Sequence, residues 1–406
     1  MDFERLNELE WKYHFVKRER KLIFYSGELH YTSSKGLYHS GVLQVPENLK
    51  LQLLVSKNAF EANGAKRILE KVNEAIFFLY KESIDKLSEE DLLIYDYNGF
   101  KPASFSGKLG NDKSVLTYLI DPNKTKHRLS QTQKEKATSI NQQIIDILKQ
   151  SSSAFSLIGE IDMYVFANAI LKIGLRNGAI PWKMDSIDKN DSNHIFIGID
   201  LGHNHETRKS NLTLVAINNQ GCFIDCVKAD GIEINELIPI NIINKTFKRL
   251  FKKIEKKKIQ TNNITIHRDG RFFENIAEFI NAVKTASHTA KVLKINLVEI
   301  IKNEVPLIGF QCKDKYLDAF EGLYFVAGDT SYLVTNDQSL RTNTAPKPLK
   351  IRKKYGDKTI EDITEEIYWL TKPYSINLFM PSKLPLTTLI ANNLSYSSDL
   401  NHFITA

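Results

Sequence analysis

Cysteine is scarce in this sequence. The 406 residues include three, Cys222, Cys226 and Cys312. Cys222 and Cys226 are spaced CxxxC rather than CxxC, and there is no second pair, so neither a disulfide framework nor a paired zinc motif is expected. The three read as reduced thiols of a cytoplasmic protein. There is no run of 18 apolar residues, and therefore no expected membrane span. Met1–Arg5 opens on charge rather than on an apolar core, which argues against a signal peptide. No internal repeat and no extended low-complexity tract is found, which sets aside solenoids and disordered linkers. Acidic excess is also lacking. The formal charge is +7, a balance that suits a polyanionic partner.

The composition is that of a globular protein, 42% hydrophobic and 25% charged, and the length predicts two or three domains. Residues 1–48 are polar and aromatic, with short strands expected at Lys21–Tyr25 and Gly41–Val45. They read either as an arm packed on the next domain or as a docking surface for a partner protein. From Leu49, strands alternate with helices. Leu51–Val55, Leu92–Tyr95 and Val115–Ile120 read as strands. Over Asn63–Lys81 the residues Ala65, Ile68, Leu69, Val72, Ile76 and Phe77 recur at helical steps. Further helices are expected over Thr132–Lys149, interrupted near Asn141, and over Asp162–Arg176. This alternation predicts a Rossmann-like domain over residues 49–190. The Asp-, Asn- and Ser-rich stretch Ser186–Asn193 marks its boundary.

Residues 191–406 form the second expected domain. Ile195–Ile199, Leu212–Ile217 and Cys222–Val227 read as strands, the last two joined by the hairpin loop Asn218–Gly221. A helix is expected from near Asn235, with Pro239 close to its start, running into Lys248–Lys258. That run holds seven basic residues and one acid. It reads as a solvated face or as a contact with a nucleic-acid backbone, with Leu250, Phe251 and Ile254 turned to a sheet. Next, Asn263–Asp269 is a β-branched strand that ends in a carboxylate and a glycine, before an amphipathic segment, Phe273–Ile280. Strands that carry an Asp to their C-terminal edge are how α/β folds present catalytic groups. His194–Gly202 repeats the pattern around Asp200. Two such aspartates suit two-metal phosphodiester hydrolysis, which gathers oxygen ligands around Mg²⁺ or Mn²⁺ ions about 4 Å apart.

Gly198-Ile199-Asp200, His267-Arg268-Asp269-Gly270-Arg271 and Leu384–Asn392 together resemble the landmarks of the PIWI domain of Argonaute proteins. Upstream, Ala169–Trp182 resembles the end of the Argonaute MID domain. The resemblance covers residues 49–406 in family order and implies a Rossmann-like MID domain followed by an RNase H-like PIWI domain with a mixed sheet. The layout resembles that of a short prokaryotic Argonaute, without N and PAZ regions. It implies a catalytic tetrad of Asp200, a mobile Glu, Asp269 and Asn392, with Asp200, Asp269 and Asn392 as metal ligands. Glu233, 33 positions after Asp200 and 36 before Asp269, is the first choice for the mobile acid and Glu236 the second. Asn393 is the alternative to Asn392. For the guide 5′-phosphate the resemblance points to Gln143, Lys172 and Arg176, with His127 and Gln131 at the places of an aromatic or His and a Lys. The implied function is guide-directed recognition of a complementary RNA or DNA in defence against invading DNA, with metal-dependent target cleavage. The alternative is a silent guide-loaded module that signals to an APAZ-containing effector. Two weaker features are His203-Asn204-His205, a metal-type spacing or a solvent loop, and the basic stretch Pro346–Tyr355, a phosphate contact or a charged loop.

Overall fold

The computed structural model describes residues 12–16, 21–46, 49–96, 100–102, 114–118, 131–150, 155–158, 160–177, 179–188, 191–204, 208–233, 235–287, 294–303, 305, 308–312, 315–336, 347–373 and 382–396. They form two compact units. One lies within Leu22–Trp182, the other within Lys183–Phe403 together with the N-terminal strand β1 (Lys12–Phe15).

The unit within Leu22–Trp182 holds α1 (Ser33–Ser40), β2 (Leu51–Ser56), α2 (Lys57–Asn63), α3 (Ala65–Tyr80), β3 (Leu92–Tyr95), β4 (Ser114–Tyr118), α4 (Gln131–Gln150), β5 (Phe155–Ile158) and α5 (Met163–Arg176). The four strands are parallel in the order β3-β2-β4-β5. The Ser56 hydroxyl accepts the Ala59 amide at 3.3 Å and so starts α2. The Asp162 carboxylate does the same for α5, taking the Tyr164 and Val165 amides. α4 lays Ile140, Ile144 and Leu148 on Leu54, Tyr95 and Val115. The crossovers β2 to β3 and β4 to β5 step in opposite directions. Right-handed connections therefore put α3 and α4 on opposite faces of the sheet, and α5 packs on α3.

Two expectations fail here. Asn141 does not interrupt α4, because the buried Ile140–Ile144–Leu148 stripe outweighs one residue's weak helix propensity. Gly41–Val45 forms no strand; Gln44 makes an isolated bridge to Ile180. At Lys21–Tyr25 the strand is two residues, Leu22–Ile23.

The second unit is built on β6 (Ile195–Asn204), β7 (Lys209–Asn218), β8 (Phe223–Glu233), α6 (Ile240–Lys256), β9 (Asn263–Asp269), α7 (Ile276–Ala286), β10 (Lys294–Ile301), β11 (Leu323–Ala327), β12 (Thr330–Leu333), β13 (Leu349–Tyr355), α8 (Ile360–Trp369) and α9 (Leu386–Tyr396). Nine strands make one mixed sheet in the order β1-β11-β12-β13-β10-β9-β6-β7-β8. β6, β9 and β10 run parallel at its centre, and the other neighbours are antiparallel. Ile195, Ile197, Ile199 and Leu201 of β6 join Phe247, Leu250 and Ile254 of α6 and Phe279 and Val283 of α7 in one core. Strand alternation turns Phe196, Gly198, Asp200 and Gly202 to the other face, where α9 lies on β6, β7 and β9.

The basic run of α6 is partly committed to this sheet. Arg249 donates to the Lys228 carbonyl at 2.9 Å, and Lys253 and Lys257 pair with Asp225 at 2.7 and 3.2 Å. The stretch Pro346–Tyr355, read as a phosphate contact or a charged loop, is strand β13 from Leu349 onward, and its Arg352 is salt-bridged to Glu299 of β10. Alternation of Leu349 and Ile351 into the core fixes it there.

Candidate active site

The pairing of β9 with β6 sets Arg268 opposite Ile199. One step further along both strands brings Asp269 beside Asp200. The third member arrives on α9, and two glycines let it approach. A Cβ on Gly198 would lie 2.2 Å from the Thr387 carbonyl oxygen, and one on Gly202 would lie 2.5 Å from that of Ser395. Backbone cannot yield to such contacts, so only glycine allows α9 to rest directly on β6. His267 adds a tie at the start of the helix, 2.9 Å from the Thr387 hydroxyl. Burial pushes its imidazole down to about 3, so it stays neutral.

Asp200 is buried and its Oδ2 accepts from the Ser395 hydroxyl at 2.5 Å. The Asp269 Oδ2 lies 2.6 Å from the Lys302 ammonium. The same ammonium donates to the Asn392 Oδ1 at 3.3 Å. Lys302 stands one residue past β10 and so gathers Asp269 and Asn392 around one positive charge. Burial pushes the Asp269 carboxyl up to about 6; Lys302 opposes the rise and the neighbouring Asp200 adds to it. Burial also raises Asp200, against the Ser395 hydrogen bond and the charge of Lys302. Two buried carboxylates that resist ionisation side by side, completed by an amide oxygen, fit a hard divalent cation. Asp200, Asp269 and Asn392 are the residues that would hold it.

Arg268 points the other way and is fully buried. Its Nη2 donates to the Glu236 carbonyl at 2.8 Å and lies 3.9 Å from the Glu274 Oε1, which also accepts the Ile238 amide at 3.0 Å. The segment around Glu236 is thus held against the strand that carries Asp269. The Glu236 carboxylate is 4.0 Å from Arg268 and 3.2 Å from the His203 Nε2, while the His203 Nδ1 is 2.7 Å from the Ser210 hydroxyl. Glu233 is placed differently. The β7–β8 hairpin runs further than expected, so Glu233 is the exposed last residue of a strand, opposite Lys209, rather than part of a loop. The second-choice acid is the one held against β9, through Arg268, on the face turned away from the aspartate pair. His203 also sits on a strand; His205 lies outside the described residues.

The residues expected to hold the guide phosphate are not gathered in this way. His127 lies outside the described residues, as does the side chain of Arg176. Gln131 opens α4 and donates to Glu135 at 3.0 Å. Gln143 is on the exposed side of α4, 3.4 Å from the Ser139 hydroxyl. Lys172 is on α5, in the layer of α3. The sheet therefore lies between Gln143 and Lys172.

Lys302, Ser395 and the part played by Arg268 were not anticipated from the sequence. The strand-like run Leu297-Val298-Glu299-Ile300-Ile301 ahead of Lys302 is the available signal. A second charged group also went unseen. Asp188, His194 and Glu366 offer ligand atoms within 4.8 Å of one another. The Lys358 ammonium already sits among them, 2.6 Å from Asp188 and 3.0 Å from the His194 Nδ1, and is salt-bridged to Glu366. His194 lies six residues before Asp200, about 20 Å along the strand, so this group sits at the opposite end of β6 and is a closed ion network.

No protein-family model matches the chain. The protein argonaute of Marinitoga piezophila is 32% identical over 214 residues, 52% of this chain and 30% of that protein. The other curated relatives it matches, from Marinitoga hydrogenitolerans and Aquifex aeolicus, are also argonautes, at 25% and 26% identity. A structure of Clostridium butyricum Argonaute bound to a guide DNA and a 19-mer target DNA matches 100% of this chain and 54% of that one, with a TM-score of 0.70 and 19% identity. One of Marinitoga piezophila Argonaute with a 5′ OH guide RNA and target DNA matches 99% of this chain and 61% of that one, at 0.66 and 21%. At these identities the structural likeness is one of fold, and the fold is that of Argonaute MID and PIWI domains. The chain spans about a third of the curated relatives' length and somewhat over half of the structural ones.

Proposed function

We propose that this chain holds a short guide strand, pairs it with a complementary RNA or DNA, and cuts the target at the Asp200–Asp269 centre, in defence against invading DNA. The supporting observation is the convergence of Asp200, Asp269 and Asn392 on one face of the PIWI-type sheet, in a chain related to Argonautes. Base pairing with the guide supplies sequence specificity, while the protein binds phosphates. Bound Mg²⁺ or Mn²⁺ would supply a hydroxide-generating and charge-stabilising centre. Asp200, steadied by Ser395, and Asp269 would hold the cation, and Asn392 would add a neutral oxygen. Glu236, in a segment tied through its backbone to Arg268 of β9, is proposed as the acid that completes the set, ahead of Glu233. In the Leu22–Trp182 unit, Lys172 and Arg176, one helical turn apart on α5, are proposed to take the guide 5′-phosphate.

A second reading rests on the ammonium seated between Asp269 and Asn392. It makes the chain a guide-loaded module that does not cut and reports target recognition to an APAZ-containing effector. A cleavage assay separates the two. The protein is loaded with 5′-phosphorylated RNA or DNA guides and given matched or scrambled targets with Mg²⁺ or Mn²⁺, with Asp269→Ala alongside. A single cut in the matched target, absent in the variant, supports the nuclease. Guided binding with no cut in any combination supports the silent module.

A further inference from the structure

Lys302 stands where the chemistry calls for a metal. Its ammonium is 2.6 Å from the Asp269 Oδ2 and 3.3 Å from the Asn392 Oδ1. Both oxygens belong to the set proposed above for a divalent cation. Metal–oxygen bonds to such a cation are about 2.0–2.1 Å for Mg²⁺. The same oxygens cannot serve an ammonium and a dication together, and two like charges at that separation repel. The side chain of Lys302 is 32% exposed, and it leaves the sheet just after the last residue of β10. A four-carbon flexible stem with a route to solvent can withdraw. We propose that Lys302 is a built-in placeholder: its ammonium occupies the carboxylate centre of the metal-free protein and leaves when a divalent cation binds.

The inference rests on the metal-site reading, and its sign is distinctive. A lysine that merely supports the site would, once removed, weaken metal binding. A placeholder, once removed, tightens it. The first measurement is calorimetric titration of the full chain with Mn²⁺ alone. Lys302→Met is expected to bind at least tenfold more tightly than wild type, and Lys302→Arg, which keeps the charge, to stay near wild type. Asp269→Ala should lose saturable binding. Equal or weaker binding by Lys302→Met overturns the placeholder while leaving the metal site standing. No saturable binding by wild type or Lys302→Met overturns both. A second measurement needs only the wild-type chain. Amine-reactive labelling read by mass spectrometry should rise at Lys302 when Mn²⁺ is added. Unchanged or falling modification at Lys302 overturns the proposal even where the variants do not fold.

Discussion

The carboxyl of Asp269 is held at about 6 chiefly by burial, against about 3.8 for a free aspartate. The folded chain therefore keeps this proton more tightly than the unfolded one. Stability from this group is highest at low pH and falls as pH rises from about 4 through 6. The shift corresponds to something on the order of 3 kcal/mol. In denaturant unfolding of the metal-free chain, wild type should lose about that much relative to Asp269→Asn between pH 4 and pH 7. A parallel pH response in both proteins would remove the assignment. The acid proposed to complete the set can be tested just as directly. Glu236→Gln is expected to cut cleavage at least a hundredfold with guided binding kept, whereas Glu233→Gln should cleave within a few-fold of wild type. Single-turnover rates decide it, and the reverse order would restore Glu233.

Among the elements, α9 matters most, because it carries Asn392 and Ser395 to strands that precede it by well over a hundred residues. Gly198→Ala would set a methyl 2.2 Å from the Thr387 carbonyl. The helix must lift, at a cost of about 1–3 kcal/mol or more, and the amide of Asn392 moves with it. The expected result is a lower melting temperature and a loss of Mn²⁺ affinity together; retention of both would mean that α9 is not packed as described. The strand elements were the most legible part of the sequence. β-branched alternation located β9 and β6, and with them Asp200 and Asp269. Asn392 was found by resemblance, since a helical Asn carries no signal of its own. The strand ahead of Lys302 is legible, but the role of Lys302 depends on β10 lying parallel to β9, a pairing that no local pattern encodes. Glu233 was favoured over Glu236 because the length of the β7–β8 hairpin, set by cross-strand pairing, cannot be counted from turn residues. Gln143 is grouped with Lys172 by resemblance, and local motif likeness does not reveal that a sheet lies between their helices.

For the whole molecule, the charge of +7 belongs to the same proposal. Three cations of the α6 run are engaged with β8, so backbone binding must draw on other basic side chains as well. If about five guide phosphates are neutralised, affinity for a single strand should fall roughly a hundredfold between 50 and 200 mM salt. A flat salt response measured by fluorescence anisotropy would count against phosphate-based guide binding.

The position of α9 also has a consequence for synthesis. A ribosome makes Asp200, Asp269 and then Lys302 long before it makes Asn392, which lies 123 positions beyond Asp269. At roughly 5–20 residues per second that interval is about 6–25 s. For the last 90 positions of it, from Lys302 to Asn392, the growing chain carries its carboxylate pair and this lysine but not the helix that completes the centre. The cutting machinery proposed here is therefore assembled only after translation has passed through α9, and a chain interrupted before that helix is born without it.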